Sequence, residues 1–146
     1  MKSIVNNKKA FFEYHILERY TAGIELTGSE ITPIRNGKIS ISESYCFIEN
    51  GEIFIKNMHV SEHEQGGKVN NHNPTRDRRL LLKKKEIINL NDDVKQKGLT
   101  IVPLEVILTN TGLIKLTIGL AKGKKNYDKR ETTKLKDLER ESRRIN

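Results

Sequence analysis

The chain has one cysteine among its 146 residues, no tryptophan, and no apolar run long enough to cross a bilayer. A lone Cys46 excludes an internal disulfide framework and carries no redox motif, so an intracellular protein is expected. The opening residues MKSIVNNKKA lack the apolar centre of a signal peptide. The longest apolar stretches fall far short of the ~20 residues a membrane helix needs. A soluble cytoplasmic protein without a membrane partner follows as the expectation.

Catalytic motifs are equally scarce. No glycine-rich phosphate loop and no nucleophile elbow occurs. His59-Val60-Ser61-Glu62-His63 spaces two imidazoles four apart, but its glutamate adjoins the second histidine, so it is not the zinc-binding HExxH pattern. Asp92-Asp93 are adjacent on an expected helix and diverge, which makes a poor acid/base pair. The reading is therefore a protein that is not an enzyme, with no catalytic residues, no cofactor and no metal.

What the chain does have is unevenly placed positive charge. Its net charge is +8. Residues 122–146 hold ten Lys/Arg against five Asp/Glu, and Arg76–Lys85 (RDRRLLLKKK) holds six against one, so each contributes +5. The remainder, with eleven basic and thirteen acidic residues, is slightly acidic. Two concentrated patches on such a body suit a phosphate backbone. The terminal segment's only sizeable apolar residues are Tyr127, Leu135, Leu138 and Ile145, too few to form a core. It is expected to be a tail that is disordered when free and ordered on a polyanion.

Hydrophobic spacing supplies the elements. Phe12, Ile16 and Tyr20 at i, i+4, i+8 predict a helix from about Lys8 to Tyr20, stopped near Gly23. Ile24 and Leu26 alternate as a strand, GSEITPIRNGK reads as a loop broken by Pro33, and Lys38–Ser42 alternates again. SYCFIENGEIFIKN is a hairpin, because Asn50-Gly51 supplies the two positive-φ positions of a two-residue turn. That turn pairs Glu49 with Glu52, Ile48 with Ile53, Phe47 with Phe54 and Cys46 with Ile55. Cys46 then belongs to an apolar face. Phe47 and Phe54 meet on the other face, either as a pair under a helix or loop or as an RNA-stacking platform. His59–Thr75 is polar and reads as a long flexible loop. Arg79–Leu82 suits a short strand, and Lys83–Lys97 a helix with Ile87, Leu90 and Val94 inward and Gly98 as its stop. Two strands flank Thr109–Gly112, the second with a stripe of Ile114, Leu116, Ile118 and Leu120.

This content predicts a mainly β protein with helices. Residues 1–121 would form a small closed OB-like β-barrel with flanking helices, and 122–146 the disordered basic tail. Such barrels commonly bind nucleic acid, an inference by fold analogy. Arg76 and Arg78 alternate around Asp77, so an extended backbone would aim both guanidiniums the same way, toward phosphates; alternatively Asp77 forms local ion pairs with them. No recognition-helix pattern is evident, which favours RNA over duplex DNA.

The stretches NKKAFFEYHILERYTAGIELTGSEI, IRNGKISISESY, NHNPTRDRRLLLKKKEI and GLAKGKKNYDKR, in this order over residues 7–146, resemble the small protein B family, bacterial partners of transfer-messenger RNA in the rescue of stalled ribosomes. The resemblance implies a monomer whose OB-like barrel binds the tRNA-like part of that RNA. Its tail would enter the decoding centre and empty mRNA channel of the ribosome. By motif position, the RNA face would comprise Lys8, Lys9, Tyr14, Arg35, Lys38, Tyr45, Arg76, Arg78 and Lys83, joined by Lys124 and Lys125. The decoding-centre contacts would continue through Tyr127, Asp128, Lys129 and Arg130. Three positions depart from the family pattern. Tyr127 stands where histidine is usual, HVSEHEQ lacks the common loop proline, and Thr32-Pro33 replaces a lysine-serine pair. Two further readings stand beside this one: a general RNA-binding or ribosome-assembly protein, and a metal-dependent enzyme using His59, His63 and His72.

Overall fold

The computed structural model describes residues 2–63 and 71–124. The expectations for Lys125, Tyr127, Asp128, Lys129 and Arg130, and for the rest of the tail, lie outside the described residues, as does the middle of the 59–75 segment. In chain order the elements are β1 (Lys2–Asn6), α1 (Lys8–Glu13), β2 (Tyr14–Ile24), α2 (Gly28–Arg35), β3 (Ile39–Ser40), β4 (Tyr45–Glu49), β5 (Glu52–Lys56), β6 (His59–Val60), β7 (Arg78–Leu81), α3 (Lys84–Lys97), β8 (Thr100–Leu108) and β9 (Ile114–Gly123). The protein is mainly β, as expected. Strands β8, β4, β5, β7, β2 and β9 follow one another by hydrogen-bonded pairing, and β9 pairs back to β8, closing a ring. β8 is long enough to serve two neighbours on one edge, with Ile101 opposite Cys46 of β4 and its far half opposite β1.

The β4–β5 hairpin has the expected register, from Cys46 opposite Ile55 to Glu49 opposite Glu52, with Asn50 and Gly51 at φ of 54° and 79°. Cys46, Ile53 and Ile55 are buried in the ring's core, and burial pushes the Cys46 thiol pKa up, consistent with a packing residue. Phe47 and Phe54 stack at 5.4 Å between centroids on the opposite face, both half-buried. The Ile114, Leu116, Ile118, Leu120 stripe of β9 is buried, and α3 adds Ile87 and Leu90 to the same core before ending at Gly98, φ 65°. The left-handed conformation there suits glycine.

Besides β1, for which no element was expected, and β6, a strand at the start of the segment expected to be a loop, two elements differ from expectation. The helix predicted to Tyr20 ends at Glu13, and Tyr14 onward is a strand paired with β9 from Tyr14 opposite Gly123 to Gly23 opposite Lys115. Residues four apart share a face on a strand as well as on a helix, so the Phe12, Ile16, Tyr20 spacing does not separate the two. A bulge at Leu17 then turns the strand over. Tyr14 and Ile16 pack with Ala10, Val102, Leu104 and Ala121 in a small second core that includes α1, whereas Tyr20 and Ala22 belong to the main core. Gly119 permits this packing, since a Cβ there would lie 2.9 Å from Leu104 Cδ1 and 3.1 Å from Ile16 Cγ2.

The second difference is α2, which replaces the loop expected over GSEITPIRNGK. Thr27-x-x-Glu30 is a capping-box spacing, and the Thr27 backbone N–H donates to Glu30 Oε1 at 2.8 Å. Pro33 sits within the helix and forgoes a single i→i−4 bond. No helix among the described residues is long and apolar enough to cross a membrane.

Candidate nucleic-acid interface

Arg76 and Arg78 do aim their guanidiniums the same way, and their ion pairs are with Glu30; at Asp77 Arg76 meets the backbone carbonyl (3.2 Å). Arg76 donates from Nε to Glu30 Oε2 (3.0 Å) and from Nη2 to Oε1 (2.8 Å). Arg78 approaches Oε2 with Nε at 2.7 Å and Nη2 at 2.6 Å. The side chains of Glu30 and Arg78 have no exposed surface. Burial alone would raise the Glu30 pKa; hydrogen bonds from Arg76, the Thr27 N–H and Arg78 outweigh it and hold the carboxyl down to about 2.

This geometry corrects the expected phosphate role of Arg78. Its Nη1 also donates to the carbonyls of Met58 (2.7 Å) and Arg76 (3.0 Å), and Nη2 to that of Pro74 (3.2 Å). Nε, Nη1 and Nη2 thus make four hydrogen bonds inside the protein beside the ion pair, and a fully buried guanidinium held this way is not placed to meet a phosphate. Arg76 retains 29% side-chain exposure at the rim of the cluster. Arg79 is committed too, to Glu25 (2.6 Å) and Glu52 (2.9 Å). Three of the segment's six cations therefore have carboxylate partners from distant parts of the chain, and Lys83, Lys84 and Lys85 form its exposed basic run.

His72 fastens the same region. Its ring is buried, with Nε2 donating to the Val60 carbonyl at 2.9 Å and Nδ1 lying 2.8 Å from Ser29 Oγ. Both ring nitrogens thus have protein partners, and this histidine joins α2 to β6 as a structural residue. His59 is exposed on β6.

The remaining candidates form two surfaces. Lys9, Tyr14 and Tyr45 line one pocket of about 190 Å³ with Asn7, Ser42, Glu43 and Ser44. Lys9 donates to Glu43 at 3.0 Å, and that hydrogen bond raises its pKa. Tyr45 is 43% exposed, and Lys8 is exposed at the start of α1. Lys124 joins this end of the ring, because its backbone N–H donates to the Glu13 carbonyl at 3.0 Å. A hydroxyl-bearing aromatic pair beside lysines can hold an unstacked base and its phosphate. Arg35 and Lys38 lie at the other end of α2, both exposed, with Arg35 Nη2 donating to the Gly112 carbonyl at 3.1 Å.

A family model described as SmpB protein matches residues 4–146. The chain belongs to the SmpB family. Among similar SmpB-family sequences, an SsrA-binding protein of Shouchella clausii (strain KSM-K16) is 54% identical over 143 residues, spanning 98% of this chain and 90% of the relative. An SsrA-binding protein of Thermosipho melanesiensis (strain DSM 12029 / CIP 104789 / BI429) is 49% identical over 143 residues, 98% and 97% of the two chains. A solved structure described as "tmRNA-SmpB: a journey to the center of the bacterial ribosome" is similar at a TM-score of 0.70 and 39% identity, covering 96% of this chain and 94% of that one. The SmpB match includes the tail as well as the ring. Thr32 and Pro33 fall on α2, where Thr32 is exposed and Pro33 buried.

Proposed function

We propose that the chain is an RNA-binding protein of trans-translation: it binds the tRNA-like domain of transfer-messenger RNA and delivers it to stalled ribosomes in the cytoplasm. The observation that carries this reading is the family match through residue 146, over body and tail together. Its work is binding and placement, not catalysis. The ring presents exposed cations (Lys8, Lys9, Arg35, Lys38, Lys83 and, at the rim, Arg76) to RNA phosphates, which fix position without reading sequence. Tyr14 and Tyr45 offer ring faces to unstacked bases. The exposed ion pair of Lys9 with Glu43 is readily exchanged for a phosphate.

The tail then occupies the decoding centre and the empty mRNA channel. Lys124, Lys125, Tyr127, Asp128, Lys129 and Arg130 make the decoding-centre contacts, Tyr127 by stacking rather than by the proton chemistry of a histidine. Leu135 and Leu138 lie three apart, which places them on one side of a helix formed on binding. Coupled ordering of this kind costs affinity per contact, and it lets one segment test whether the channel is vacant.

Competition binding at fixed salt tests the assignment. Transfer-messenger RNA should be preferred over unrelated structured RNA by more than about tenfold, ~1.4 kcal/mol of discrimination. Near-equal affinities would make this a general RNA-binding or ribosome-assembly protein instead.

A further inference from the structure

The place where the tail leaves the ring is built, not merely reached. The β2–β9 ladder ends at Tyr14 opposite Gly123. One residue later the Lys124 N–H donates to the carbonyl of Glu13, the last residue of α1 (3.0 Å). The Lys124 ammonium sits 5.9 Å from the centroid of the Phe12 ring. Phe12 is 71% exposed, so core packing does not account for its place on α1. Its neighbour Phe11 is covered by the Arg19 guanidinium at 5.3 Å, bracing α1 against β2. The two rings of this short helix therefore meet one cation from β2, Arg19, and one from Lys124, the first residue after β9.

We infer that α1 is the seat from which the tail departs and that Phe12 is a positioning residue for it, an inference that rests on the tail's role proposed above. Gly123 has no side chain to limit its backbone, and unrestrained it would let everything after it swing widely. The Lys124 backbone bond and the cation–π contact fix that residue against α1, at Glu13, which also lines the Tyr14–Tyr45 pocket. A restrained start reduces the conformational freedom lost when the tail enters a narrow channel. The recorded ring contact of Phe12 is with Lys124, at the start of the tail, so its effect is assigned to the tail's step and not to capture of the RNA.

The test uses the full chain with Phe12→Ala and Phe12→Trp. In a reconstituted rescue assay at subsaturating protein, Phe12→Ala should lose about two- to fivefold in rate, the range of an exposed cation–π contact. Its affinity for transfer-messenger RNA should be unchanged, and Phe12→Trp should restore the rate. Hydrogen exchange of the Lys124 amide in the free protein should be faster in Phe12→Ala than in the unaltered chain. Unchanged rescue in Phe12→Ala would overturn the inference, as would a parallel loss of RNA affinity, which would make Phe12 an RNA contact. Failure of Phe12→Trp to restore the rate, or an unaltered Lys124 exchange rate, would also overturn it. If the unaltered chain itself neither binds transfer-messenger RNA nor supports rescue, the functional reading falls; if it does both and Phe12→Ala matches it, only the tail-seat inference falls.

Discussion

Truncation after Gly123 is expected to preserve binding of transfer-messenger RNA and to abolish rescue of stalled ribosomes. The ring closes without the tail, since β9 ends at Gly123 and its last core residue is Ala121. The buried apolar residues of the described body all lie before residue 124, and of the described contacts the truncation breaks the Lys124 backbone bond to Glu13 and the Lys124–Phe12 contact. The exposed cations and the Tyr14–Tyr45 pocket remain. Everything assigned to the decoding centre and the mRNA channel is gone. Side-by-side titration of the two proteins with the RNA, followed by a peptide-tagging assay on stalled ribosomes, separates the steps. Equal loss of both activities would show that body and tail are not separate binding units.

Glu30→Ala should destabilise the body by about 3–5 kcal/mol, the usual cost of removing one partner from a buried charge pair. The substitution strips Arg78, fully buried, of its counter-charge, removes the carboxylate partner of Arg76 and takes away the acceptor of the Thr27 N–H. That is a large part of the ~5–15 kcal/mol that holds a typical domain together, and it should lower Tm by roughly 10–20 °C. The same cluster sets a pH dependence. A carboxyl held at about 2 in the folded state, against 4.5 ordinarily, contributes stability that is complete above pH 4.5 and lost as the pH falls toward 2. Glu30→Gln should lack that part of the acid dependence while keeping the side chain's shape. Melting curves between pH 2 and 7 measure both effects, and a Glu30→Ala melt within about 1 kcal/mol of the parent would remove the cluster from its structural role.

The two arginines show why charge counted along the chain overstated the RNA surface. Arg76–Lys85 reads as a +5 patch because its partners are out of sight: Glu30 lies 46 and 48 residues from Arg76 and Arg78, and Glu25 lies 54 from Arg79. Only the folded ring brings them together. Local signals did better where local geometry decides, as with the Asn50-Gly51 turn, the β9 stripe and the Gly98 stop of α3. The α1–β2 boundary was ambiguous because a four-residue spacing satisfies helix and strand alike, and pairing with β9 chose between them. α2 carries two opposed local signals, the helix start Thr27-x-x-Glu30 and the helix breaker Pro33, and in the fold the helix start prevails. Of the expected RNA contacts, Lys9, Tyr14 and Tyr45 converge on one pocket, whereas Arg78 belongs to the core. The contact of Lys124 with α1 had no sequence signal, because an exposed phenylalanine has meaning only beside Lys124.

The central claim, that this protein serves transfer-messenger RNA, is tested most directly by purifying it from its native cells and sequencing the RNA bound to it. Transfer-messenger RNA should dominate the bound pool far beyond its share of total cellular RNA. A pool that mirrors total structured RNA, with transfer-messenger RNA not enriched, would contradict the assignment.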